Sequence, residues 1–164
     1  MMDRPDSGTR VRLSVLDRLT DKDPENSHDF TSSRPADIRE LKNALWRDLN
    51  ALLNSRRREE EIPEAFPECN NSFLTFGIPD FTSYSLKSPS DQDRLRRSIE
   101  LAIRRFEPRL ASVVVRLEPR AELDPRLRFR VDALLKVSPR PEPIRFDTVL
   151  QADTGQFFVS GDSR

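Results

Sequence analysis

The sequence predicts an α+β domain with N-terminal helices packed on a small antiparallel C-terminal sheet of three or four strands. Three observations carry that prediction. Apolar residues recur at helical spacing over 35–53 and 91–106, they alternate with period 2 over 127–137, and prolines separate these stretches. The chain has 164 residues, the length of roughly one domain if a domain takes about 150 residues.

Residues 1–12 are polar and are expected to be a mobile N-terminus. The single domain is expected over 13–160, with a short tail at 161–164. Leu13, Val15, Leu16 and Leu19 form a short apolar stripe, enough for two helical turns or an anchoring arm. Lys22 to Ser33 is polar, contains Pro24 and reads as a loop holding His28 and Phe30. The first helix is expected from Pro35 to Leu53. Ile38, Leu41, Leu45, Leu49 and Leu52 mark its buried face, widened by Ala44 and Leu53. Pro35 suits a first turn, where its missing N–H is no loss.

Residues 59–89 carry Pro63, Pro67, Pro79 and Pro89, which exclude a long helix. Phe66, Phe73, Leu74, Phe76, Ile78 and Phe81 make this loop apolar enough to be expected packed rather than solvated. The second helix is expected over Asp91–Phe106, with Ser90 as N-cap and Asp93 completing a capping-box variant. Its buried stripe is Leu95, Ile99, Ala102, Ile103 and Phe106. Arg94, Arg96, Arg97, Arg104 and Arg105 lie opposite. Pro108 disfavours helix at Glu107 and ends it. Ser112–Leu117 is β-branched and reads as a strand. Leu127, Phe129, Val131, Ala133, Leu135 and Val137 then alternate with mostly polar residues. Ile144, Phe146, Thr148 and Leu150 repeat the alternation, and Gln156–Ser160 adds a short last strand.

Composition excludes several function classes. Lys plus Arg number 28 and Asp plus Glu 28, so formal net charge is zero and a chain-wide polyelectrolyte partner such as duplex DNA is not expected. Only four of those cations are lysine. No apolar run approaches the ~18 residues of a bilayer span, so direct membrane insertion is not expected. One cysteine, Cys69, permits no intrachain disulfide and suits a reducing cytoplasm. One histidine and one cysteine make no zinc site, and the four glycines form no phosphate loop, so no metal or cofactor is expected. His28 has no elbow motif near it and is expected to be an ordinary loop residue. A phage-type lysozyme would show Glu, then Asp nine positions later; no Glu here does, and no catalytic residue is assigned. Arg126, Arg128 and Arg130 share a strand face that an RNA-binding sheet could use, but that face lacks the aromatics on which bases stack.

One further feature is Phe106-Glu107-Pro108-Arg109-Leu110, at the junction of helix and strand. Pro108 fixes the turn, and Glu107 and Arg109 are expected to project from it as a pair of opposite charges. The bland reading is a helix stop with a surface ion pair of little energy. The functional one is a docking corner, with the arginine forked onto a partner carboxylate.

Four blocks occur in order: Ser14-Val15-Leu16-Asp17-Arg18-Leu19-Thr20-Asp21, Leu52-Leu53-Asn54-Ser55-Arg56, Phe76-Gly77-Ile78-Pro79-Asp80, and Phe106-Glu107-Pro108-Arg109-Leu110. Together they resemble the TssE family of type VI secretion baseplate subunits, within the wider phage-tail baseplate-wedge family often labelled lysozyme-like. The resemblance covers about residues 13–160. It implies a non-enzymatic structural subunit beside TssF, TssG and TssK, at the cytoplasmic face of an envelope-anchored complex. It implies a strand platform on which the TssB/TssC contractile sheath starts to polymerise. It also implies that Glu107, Pro108, Arg109 and Leu110 bind the wedge, so that Arg109→Glu would weaken wedge binding while leaving the monomer folded. A second Glu-Pro-Arg at Glu118–Arg120 follows a strand, and the role is not transferred to it. The competing expectation is a peptidoglycan-cleaving, lysozyme-like enzyme.

Overall fold

The computed structural model describes Leu16 and residues 38–57, 65–119, 124 and 126–161. The expected mobile N-terminus, most of the Leu13–Leu19 arm, the loop with His28 and Phe30, the Pro35 start and tail residues 162–164 lie outside the described residues. Among the described residues there are two long helices, α1 (Ile38–Asn54) and α2 (Pro89–Phe106). Four strands follow: β1 (Leu110–Leu117), β2 (Leu127–Leu135), β3 (Glu142–Leu150) and β4 (Phe157–Gly161). They form one antiparallel sheet in the order β1-β2-β3-β4. The α+β architecture is the one the periodicities predict.

Both helices cover the same face of the sheet, α2 along β1 and α1 along β4. Leu45, Leu49 and Leu53 of α1, and Ile99 and Ile103 of α2, meet Phe129, Phe146 and Phe157 in one continuous core. In β2 and β3 every second residue is buried, so the expected faces are correctly assigned. β1 departs from strict alternation. Its register against β2 shifts between Ala111 and Val114, and Ser112 takes φ 51°. This bulge puts Leu110, Val113 and Val115 all into the core despite their uneven spacing. The strand therefore begins two residues earlier than the β-branched run from Ser112 suggests.

The start of α2 corrects the expected cap. Pro89 is itself helical and Ser88 is the capping residue, without a side-chain cap bond. The Ser90 hydroxyl pairs with that of Ser88, and Asp93 binds Arg96 (2.9 Å) and Arg97 (2.7 Å) instead of closing a capping box.

The loop between the helices is packed only in part. Ile78 and Phe81 are buried, while Phe66, Phe73 and Leu74 face solvent, Phe73 at 83% exposure. Phe66 precedes a 3-10 turn at Pro67–Asn71, and a second turn at Phe73–Thr75 carries Phe73 and Leu74. Gly77, at φ 103°, lies against Ser55, where a Cβ would overlap the Ser55 carbonyl. Gly161 lies against the Trp46 ring, which leaves no room for a side chain and lets α1 approach β4 closely.

Candidate functional site

Three of the four sequence blocks come together in space. Ile78 N–H donates to the Ser55 carbonyl and Arg57 N–H to the Ile78 carbonyl, both at 3.0 Å, so 76–80 is clipped beside the end of α1. Phe76 meets Phe106 edge to face, with ring centroids 5.3 Å apart. Arg56 lies over the Phe81 ring and donates to the Gly155 carbonyl at 2.7 Å, which ties the same knot to the β3–β4 turn. The 14–21 block lies outside the described residues except for Leu16.

The corner at 107–110 is built inward. Glu107 is 4% exposed and Leu110 is buried, and only Pro108 stands clear at the apex. Arg109 Nε donates to Glu107 Oε1 at 2.7 Å and its Nη2 to Glu107 Oε2 at 2.5 Å. The same Nη2 reaches Asp48 Oδ2 on α1 at 2.7 Å. The Arg109 N–H also donates to Glu107 Oε1, and Lys136 Nζ donates to the Pro108 carbonyl at 2.8 Å. The Glu107 carboxylate, followed by Asp48, holds the guanidinium more firmly protonated than an ordinary arginine, against the opposing effect of burial. The expected outward-projecting charge pair is therefore corrected: the arginine fork closes on two carboxylates of its own chain and staples α1 to the α2–β1 junction. Asp48 escaped the sequence reading because its partner lies 61 positions away and no local spacing connects them.

The sheet face away from the helices is charged, and no described residue covers it. Asp132 binds both Arg116 and Arg145, and Arg130 binds Glu118 (3.2 Å) and Asp147 (3.3 Å). Arg126 holds Asp124 and pulls that carboxyl down to about 2. Arg128 shares Asp124 at 3.6 Å. Each arginine of the strand face considered for RNA is thus met by a carboxylate. Of the second Glu-Pro-Arg, Glu118 joins this network, and Arg120 lies outside the described residues.

The two sheet edges differ. On β1, Arg104 donates to the Val113 carbonyl through Nε (3.1 Å) and Nη2 (2.7 Å). Arg96 donates to the Val115 carbonyl at 3.3 Å, and Val115 N–H donates to Glu100 Oε2 at 3.1 Å. Glu100 in turn binds Arg96 and Arg104. This comb at i, i+4 and i+8 of α2 occupies main-chain groups that an edge strand would otherwise present. Glu100 shows helical spacing to both arginines, but nothing local reveals that it also accepts from a strand N–H 15 positions away. On β4, among the described residues, the Asn54 amide bonds the edge: it donates to the Phe157 carbonyl and accepts from Phe157 N–H, both at 2.9 Å.

Among the described residues no group of three His, Cys, Asp or Glu could hold a metal ion, and no helix is long and apolar enough to cross a membrane. The charged groups of this fold mostly hold its own elements together, around an uncovered sheet. Those are features of a scaffold. Residues 39–140 match the family model of Baseplate wedge protein gp25, and the chain belongs to that family. Its role is accordingly structural, in a phage-tail-like baseplate. The match runs from α1 to the β2–β3 turn and includes the three blocks that converge here. No curated protein matches the chain.

Proposed function

We propose that this chain is a type VI secretion baseplate subunit that docks in the wedge and offers its sheet as a platform on which the contractile sheath begins to polymerise. The observation that carries this reading is the sheet itself, backed on one face by helices and left uncovered by the described residues on the other, in a chain of the baseplate-wedge family. An exposed strand system can take up a neighbour's strand through main-chain hydrogen bonds, and its register then fixes the register of the assembly. The role is non-enzymatic and cytoplasmic, at the envelope-anchored complex. Its partners are TssF, TssG and TssK in the wedge and TssB/TssC in the sheath. Glu107, Pro108, Arg109 and Leu110 form the docking corner, with Pro108 at the contact and the buried charges keeping the corner rigid.

The test is sheath assembly from purified TssB/TssC of the same genome, followed by light scattering and electron microscopy, with and without this protein. Added protein is expected to shorten the lag and to sit at one end of each sheath. An unchanged lag, or release of soluble fragments when the protein is incubated with peptidoglycan, would contradict the proposal and favour the lysozyme-like alternative.

A further inference from the structure

We infer that a notch between the 75–79 loop and the outer face of α2 is a second docking point, where Arg57 and Arg105 take a carboxylate from an acidic–apolar segment of another protein. This rests on the wedge reading above, and it supplies the charged contact that the inward-built corner does not. The notch is lined by Arg57, Thr75, Gly77, Ser98, Leu101 and Arg105 among others. Ser98, Leu101 and Arg105 lie at i, i+3 and i+7 of α2 and so share one face. The loop side is fixed by the Arg57 N–H bond to the Ile78 carbonyl and by the edge-to-face contact of Phe76 with Phe106. The notch is therefore formed before any partner arrives. Its volume of about 10 Å³ admits one small polar group and is far too small for a small-molecule substrate.

The charges at this notch differ from those elsewhere in the chain. Arg96, Arg97 and Arg104 of α2 are each held by Asp93 or Glu100, and Arg109 by Glu107 and Asp48. No described carboxylate reaches Arg57 or Arg105. Arg57 Nε is shut off from solvent and has no hydrogen-bond partner among the described residues. A buried donor left unmatched is costly, and a carboxylate is the group that two guanidiniums lining one notch can share. Around these charges the surface is apolar. Leu101 is half exposed, and the 3-10 turn that ends at Thr75 carries the exposed Phe73 and Leu74. Side chains of this kind mark a contact surface when they lie together. A partner that covers them would shut water away from the arginines and strengthen the charged bond. Most carboxylates described in this chain are already held by its own cations, so the incoming one comes from another protein and not from a second copy. The occupant is a segment that places one Asp or Glu among apolar side chains.

The test is the affinity of the full chain for purified TssF/TssG of the same genome, with circular dichroism confirming the fold of each variant. The double variant Arg57→Gln/Arg105→Gln is expected to bind at least tenfold more weakly than the wild type. Phe73→Ser/Leu74→Ser, which alters only exposed side chains, is expected to lose at least as much. Arg140→Gln, at an exposed arginine of the β2–β3 turn, should change binding less than threefold. Binding that both double variants leave unchanged would overturn the notch as a docking point while leaving the wedge reading standing. Loss in the Phe73/Leu74 variant alone would overturn the carboxylate as occupant. Self-association of the wild type that disappears in the arginine variant would overturn the choice of another protein. Wild-type protein that does not bind TssF/TssG at all would overturn the wedge reading, and this inference with it.

Discussion

Replacing Arg109 with alanine is expected to destabilise the fold by about 3 kcal/mol, because removing one member of a buried ion pair leaves the others uncompensated. The Arg109 side chain is only 13% exposed and that of Glu107 5%, so water replaces little of what is lost. Glu107 and Asp48 would then face each other as like charges in a poorly solvated pocket. Arg109→Glu is expected to be worse, adding a third carboxylate. This reverses the sequence-based expectation that Arg109→Glu leaves the monomer folded. Arg109→Lys should fall between, since one ammonium cannot reproduce the two-armed contact with Glu107 together with the bond to Asp48. Urea unfolding followed by circular dichroism measures the difference. A loss below about 1 kcal/mol for Arg109→Ala would mean the corner is not a staple.

The second large effect is expected at Phe129, fully buried at the centre of β2 between both helices. Phe129→Ala removes the ring and leaves a cavity that two packed helices and two neighbouring strands cannot close. The expected cost is about 3–5 kcal/mol, and the melting temperature should fall by roughly 6–20 °C. Thermal unfolding by calorimetry checks it. An effect under about 1 kcal/mol would mean that the ring does not anchor the core.

Much of this fold can be read directly from residue spacing. The leucines of α1 and the period-2 run from Leu127 require nothing beyond their own neighbours to declare which face is buried. The failures have physical causes of another kind. Ser112 carries no glycine to announce a left-handed φ, so the bulge that begins β1 is silent. Pro89 reads as a helix breaker and is in fact the first residue of a helix, because that position needs no N–H. Phe66, Phe73 and Leu74 are apolar yet exposed, and apolar character in a loop does not reveal what covers it. At the site, the Glu107–Pro108–Arg109 corner was found, but its inward orientation depends on Asp48, and Asn54 and Glu100 matter only through strands far along the chain. Local patterns locate elements; contacts between distant positions decide what the charged groups do.

We propose that this chain is a wedge subunit of a type VI secretion baseplate. The most direct test is co-expression with TssF and TssG of the same genome and size-exclusion chromatography of the product. A stable complex in which all three chains co-elute is expected. A variant at the exposed apex, Pro108→Asp, should shift this chain out of the complex while its circular-dichroism spectrum stays that of the wild type. Elution of the wild-type chain alone, at the position of its own monomer, with TssF and TssG eluting separately, would contradict the claim.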